Sequence, residues 1–146
     1  MKKILFATAL LVSVSFATMA NSNTSADPKT MAAFKKDFSG ANDITWEKGA
    51  DFSKATFTIN GSVLFAYYSG NGKLIAASRN ISSSQLPLNF FTVLKNEYSS
   101  YWISDLFELS RNNTTHYYVT LENANEKKIL SSTSWGWETY SITIKE

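Results

Sequence analysis

The 146-residue chain holds 14 basic residues, 12 acidic residues and no cysteine, so disulfides and thiol chemistry are excluded and apolar packing must hold the fold. Setting aside Lys2 and Lys3, which head an apolar leader, matches the remaining basic residues to the 12 acidic ones. A neutral chain without a basic stripe offers no counterion-release drive toward nucleic acid and no polybasic grip on anionic lipid.

The leader comes first. Lys2-Lys3, an uncharged run from Ile4 to Ala17 and Thr18-Met19-Ala20 read as a secretory signal over residues 1–20. The apolar run is shorter than a membrane span requires and polar residues follow at once, so no stable membrane anchor is expected. A lipid-anchored lipoprotein would need a cysteine, and there is none. The mature chain is expected to begin near Asn21, with a flexible start over 21–27 and a periplasmic or secreted destination.

Asp27-Pro28 supplies a cap and a first-turn proline for a helix. Met31, Phe34 and Phe38 line one face of it, and Ser39-Gly40 ends it. Ile44 to Glu47 predicts a strand. From Phe52 the period becomes two, and Asn60-Gly61 predicts a tight hairpin because both turn positions favour positive φ. Ser62 to Tyr68 is apolar on both faces, as a central strand should be. Asn71-Gly72 turns the chain again into a strand from Lys73 to Asn80.

Ser83 or Ser84, with Pro87, predicts the start of a second helix running to about Ser99, with Phe90, Phe91, Leu94 and Tyr98 on one side. Strands are expected over Trp102–Leu109, His116–Glu122, Lys127–Ser134 and Thr139–Lys145. The phrase Phe34-Lys35-Lys36-Asp37-Phe38 returns as Leu94-Lys95-Asn96-Glu97-Tyr98, each time near the end of a helix and before strands. The fold class predicted is therefore α+β: a duplicated module of one helix followed by an antiparallel four-strand meander, with the helices packed on the sheet. Residues 28–146 form one such domain, made of half-repeats 28–82 and 83–146.

Catalytic chemistry finds little footing. His116 is the only histidine, and a lone imidazole without cysteine cannot build a multi-histidine or thiolate metal site. No Gly-x-Ser-x-Gly elbow or phosphate-binding glycine loop is present. Asp105 with Glu108, or Glu122 with Glu126, would need unequal environments to divide acid and base roles. Asp105, alternating with Ile103 and Phe107, is the one acid expected to face inward. No cofactor and no metal site are expected, and the chain is not expected to be an enzyme.

The aromatic surplus points elsewhere. Tyr67, Tyr68, Trp102, Trp135 and Trp137 exceed what the helix-facing pattern needs, and stiff amphipathic rings suit a recognition surface. They are the candidate partner-binding residues, and Trp135-Gly136-Trp137 is the candidate functional loop. The expected role is a non-catalytic binding protein that docks onto another protein or a peptide. The alternative is a carrier enclosing a small apolar ligand among residues such as Phe57, Phe65 and Phe90. An exposed strand edge could also pair weakly with a second copy.

The run Phe34 to Phe38, Asp43-Ile44-Thr45-Trp46, Ala55-Thr56-Phe57, Tyr67 to Leu74, and Leu86-Pro87 with Leu94 and Tyr98 resembles the PepSY-like, β-lactamase-inhibitor-protein-like family of small exported Bacteroidetes proteins. The resemblance implies two helix-plus-antiparallel-sheet units, export, no enzyme activity, and docking or restraint of another protein through an aromatic-bearing sheet.

Overall fold

A computed structural model describes residues 26–146, so the expected signal over 1–20 and most of the expected flexible start lie outside the described residues. The described elements are α1 (Pro28–Asp37), β1 (Asn42–Lys48), β2 (Phe52–Ile59), β3 (Ser62–Ser69), β4 (Leu74–Asn80), α2 (Leu88–Glu97), β5 (Trp102–Arg111), β6 (Thr114–Glu122), β7 (Glu126–Ser132) and β8 (Trp137–Ile144). The eight strands form one antiparallel sheet in chain order. No described helix is long and apolar enough to cross a membrane.

Local chemistry explains most boundaries. The Asp27 carboxylate accepts from the backbone N–H groups of Lys29 and Thr30 at 3.0 and 3.1 Å and from the Thr30 hydroxyl at 2.7 Å, capping α1. Asn60 and Gly61 both take positive φ, 50° and 75°, which gives the tight turn that joins β2 to β3. The second helix starts differently from the expectation. Ser83 to Gln85 form a short 3₁₀ turn, Ser82 N–H donates to Gln85 Oε1 at 2.8 Å, and α2 begins after Pro87 without a side-chain cap. Strand β8 begins at Trp137, two residues before the expected Thr139, because Thr133 to Gly136 close a tight turn.

Both helices cover the same face of the sheet. Ala66 opposes Ala77, Ala77 opposes Ser110, and alternation along β5 brings Glu108 and Leu106 to that face. Between α1 and the sheet lie Phe34, Ala55, Phe57, Ala66 and Tyr68, all at most 2% exposed, with Phe38 and Trp46 packed against them. Between α2 and the sheet lie Leu94, Leu106, Val119, Leu121 and Leu130, flanked by Phe90, Phe91, Tyr98, Tyr117 and Trp137.

Four strands carry a one-residue slip. In β1 it falls between Asn42 and Thr45, in β4 opposite Tyr67/Tyr68, in β5 between Ile103 and Asp105, and in β8 opposite Ile129/Leu130. Such bulges bend a strand and re-aim its side chains. The two strands at the outer edges, β1 and β8, both carry one, which makes each edge a poorer template for adding another chain.

Candidate functional site

Alternation sends half of every strand to the face that neither helix covers. On β2 and β3 this face carries Phe52, Lys54, Phe65 and Tyr67, with the Phe52 and Tyr67 rings 5.9 Å apart and Lys54 Nζ 5.1 Å from the Phe65 centroid. Ala76 and Ser78 continue it on β4, since they oppose Tyr67 and Phe65. Leu109 opposes Ser78 and Phe107 opposes Asn80, which extends the face across β5. Phe107 stacks on Tyr118 at 5.1 Å with 14° between the planes, and Tyr140 meets Tyr118 edge-on at 6.3 Å.

This face is more than a scatter of rings. Ala76 and Leu109 are 1% and 9% exposed although no helix lies over them, because neighbouring large side chains close around them. Burial raises the pKa of the Tyr67 hydroxyl, opposed by a hydrogen bond with Ser78 and reinforced by Glu47. Burial also raises that of Tyr118, helped by Tyr140 and opposed by Arg111. Both phenols therefore stay neutral donors through the physiological range.

Charged groups sit at the margins. Lys54 pairs with Glu47 at 3.3 Å. At the far end Glu122 takes Lys145 at 2.9 Å and Lys127 at 4.0 Å, and Lys145 lies 4.9 Å from the Trp102 ring. The Lys145 hydrogen bond, followed by one from Ser104, lowers the Glu122 pKa.

The five sequence-predicted contacts do not share one surface. Tyr67 and Trp102 lie on the open face, but near opposite ends of it: Trp102 begins β5, whereas Tyr67 is level with that strand's last residues. Tyr68 is a core residue, fully buried under α1, with its hydroxyl donating to Asp37 at 2.9 Å. It has no free surface with which to touch a partner. Trp137 packs under α2, 5.1 Å from Phe90, and its indole N–H donates to the Phe90 carbonyl at 3.1 Å. Trp135 alone of the five projects freely, 97% exposed at the tip of the β7–β8 turn. That turn is fixed by Thr133 N–H and hydroxyl donating to the Gly136 carbonyl and by Trp135 N–H donating to the Thr133 hydroxyl.

Sequence reasoning missed Phe65, Phe107, Tyr118 and Tyr140 as members of this face. Period two along β5 and β6 pairs Phe107 with Tyr118, so two of them were accessible to it. Tyr140 was not, because it is the extra residue of the β8 bulge, where alternation followed from the two ends of the strand disagrees.

The carboxylates that could have shared a proton are separated. Asp105 points to the open side opposite Thr120, whereas Glu108 points to the helix side and binds Arg79 at 2.6 Å. The expectation that Asp105 faces the core is therefore corrected: it lies half-buried on the open face. His116, opposite Leu109, shares that face but stands four residues along β6 from Thr120, roughly 13 Å away at strand spacing. Glu122 is held on the open side, while on the helix side Glu126 accepts from the Tyr101 hydroxyl and from Lys128. The Tyr101 bond is the main reason that the Glu126 pKa is lowered and the Lys128 pKa raised. Among the described residues no three His, Cys, Asp or Glu side chains gather as a metal site. Phe57, Phe65 and Phe90, the carrier lining expected from sequence, also part company, since Phe57 lies under α1, Phe90 belongs to α2 and Phe65 faces the open side.

No protein-family model matches this sequence, and no curated protein sequence is similar to it. Solved structures are similar in fold. A BLIP-like protein from Bacteroides fragilis is 21% identical with a TM-score of 0.70, the match covering 82% of this chain and 86% of that one. A DUF2874 family protein from Bacteroides uniformis is 18% identical with a TM-score of 0.72, over 82% and 90% of the two chains. A protein from Bacteroides eggerthii, provisionally termed periplasmic, is 15% identical with a TM-score of 0.72, over 82% and 89%. The chain thus has the antiparallel, two-helix architecture of the BLIP-like and DUF2874 proteins of Bacteroides.

Proposed function

We propose that this is an exported, non-catalytic binding protein whose open sheet face docks onto another protein or a peptide. The observation that carries the reading is the aromatic band Phe65, Tyr67, Phe107, Tyr118 and Tyr140 on a face that neither helix covers. Half-buried rings held by their neighbours lose little entropy on contact, and neutral phenols add hydrogen bonds at the rim. A β-lactamase-inhibitor-like architecture in one structural neighbour fits this use of the fold. The leader at residues 1–20 and the provisional periplasmic name of another neighbour support action outside the cytoplasm.

The two helix-plus-meander halves are best read as copies of one unit within a single domain. The bulges support this: the first and last strands of each half, β1 and β4, β5 and β8, carry a slip, and the inner strands of each half do not.

The test is photo-crosslinking from position 131, beside Tyr118 on the open face, in mature protein returned to its native cell. A stoichiometric crosslinked partner that is lost on Tyr118→Asp or Phe65→Asp, with folding retained, would bear the reading out. A partner that persists in both variants but is lost on Trp135→Ala would move the site to the β7–β8 turn.

A further inference from the structure

The two halves fill their helix–sheet interfaces unequally. The bulges that precede Thr45 and Asp105 set the correspondence: Trp46 answers to Leu106, and the register then equates Ala55 with Val119, Phe57 with Leu121 and Ala66 with Leu130. The helix echo equates Phe34 with Leu94 and Phe38 with Tyr98. In the first half Phe57 packs 4.9 Å from Phe34 and 4.7 Å from Phe38, so three rings close the space beneath the end of α1. In the second half two of those rings are leucines. The gains in bulk from Ala55 to Val119 and from Ala66 to Leu130 fall on the sheet further from this corner, and the gain from Ala41 to Tyr101 supplies one of its walls.

A cleft of about 510 Å³ opens at that corner, lined by Phe91, Leu94, Tyr98, Tyr101, Ile103 and Leu121. This volume falls within the range of about 300 to 1,000 Å³ typical of small-molecule sites. The walls are largely apolar and aromatic, and Ser83, Ser84 and Ser99 also line the cleft. Lys95 is the one charged side chain that lines it. Its ammonium lies 6.0 Å from the Phe91 ring and has no salt-bridge partner among the described residues. An apolar trough lined by a single cation and by serines complements an aliphatic chain that ends in an anion.

The geometry points to this cleft as a binding site for a medium-chain fatty acid, with the chain along Leu94, Ile103 and Leu121 and the carboxylate at Lys95. The site lies on the helix side of the sheet, so it stands or falls independently of the open-face reading. It also differs from the lining that sequence alone suggested, since none of Phe57, Phe65 and Phe90 belongs to it.

The experiment titrates the mature chain with dodecanoic acid below its micellar concentration, by calorimetry and by methyl NMR, and repeats the titration with dodecanol. Saturable binding is expected, with shifts concentrated at the methyls of Leu94, Ile103 and Leu121. Leu121→Phe, which restores the ring of the first half, should weaken binding at least about tenfold, the cost of losing a few buried methylenes. Lys95→Glu should weaken dodecanoate several-fold and leave dodecanol unchanged. No saturable binding to the wild-type chain, or shifts centred on the open-face methyls of Leu109 and Ile129, would overturn the proposal. Equal affinity in Lys95→Glu would overturn its anionic half. The NMR map of the wild-type chain decides the matter even if Leu121→Phe fails to fold.

Discussion

Tyr68 shows how a single residue can be read correctly as aromatic and wrongly as a contact. Its hydroxyl is buried, and burial together with the hydrogen bond to Asp37 and that residue's charge raises its pKa well above the ordinary phenol value. The folded chain then keeps a proton that the unfolded chain releases near pH 10, so this residue's contribution is intact below that pH and is lost as pH rises toward the folded value. Urea melts at pH 8 and pH 11 should therefore show an alkaline loss of stability that is smaller in Tyr68→Phe. At pH 7 the same variant should cost about 1 kcal/mol for the lost bond to Asp37, whereas Tyr68→Ala should cost roughly 3–5 kcal/mol for the cavity. Asp27 has the opposite sign. Its bonds from Thr30, and then Lys29, hold its pKa low, so its cap is present above the usual carboxylate range and fades as pH falls through it. Asp27→Asn should retain most of the cap and Asp27→Ala should lose it, with the difference between the wild type and Asp27→Ala shrinking in acid melts.

At the scale of elements, the turns separate conformational strain from crowding. Gly61 and Gly72 both hold positive φ, 75° and 79°. A Cβ at Gly61 would meet open space, whereas at Gly72 it would lie 3.2 Å from the backbone carbonyl carbon and oxygen of Lys29 in the first turn of α1. Gly61→Ala should cost about 1 kcal/mol, the strain of a non-glycine residue at that φ. Gly72→Ala should cost more, and it should loosen α1 because the helix start must give way; amide exchange across Lys29 to Phe34 would show this. Phe34 ties α1 to the sheet through three rings, Trp46, Phe57 and Tyr68, and also packs on Phe38 at the end of the helix. Phe34→Ala should accordingly cost roughly 3–5 kcal/mol, measured by urea denaturation. Leu94→Ala, its counterpart beside the cleft, should fall at the lower end of the roughly 2–5 kcal/mol range because space is already present there.

For the whole molecule, the decisive feature is that the halves share one sheet. They join through β4 and β5, where Ala77 to Asn80 oppose Phe107 to Ser110 and Arg79 clasps Glu108 at 2.6 Å on the helix side. Both side chains are partly solvated, at 41% and 26% exposure, so a double-mutant cycle on the pair should give a coupling of about 0.5–1 kcal/mol that fades with salt. Unfolding should remain a single transition by circular dichroism and tryptophan fluorescence, because Trp46 reports the first half, Trp137 the second, and neither half can detach without exposing backbone groups at the seam. Two separate transitions would show that four cross-strand pairs are too few to couple the halves.

Much of this fold is local chemistry and so could be read from the chain. Asp27-Pro28, Asn60-Gly61 and the switch from helical to two-residue periodicity depend on neighbours a few positions away, and they placed the helices and strands in order. The aromatic phrase repeated at Phe34 and Leu94 marked the two helices for the same reason. What tertiary structure alone decided was which way each ring faces. A bulge breaks alternation by one residue, so the pattern alone does not say which way Tyr140 faces, and a two-sided apolar strand does not say that Tyr67 faces out while Tyr68 faces the core. The cleft beside Leu121 is likewise set by tertiary structure, because only the packing of α2 on the paired strands brings Leu94, Ile103 and Leu121 together.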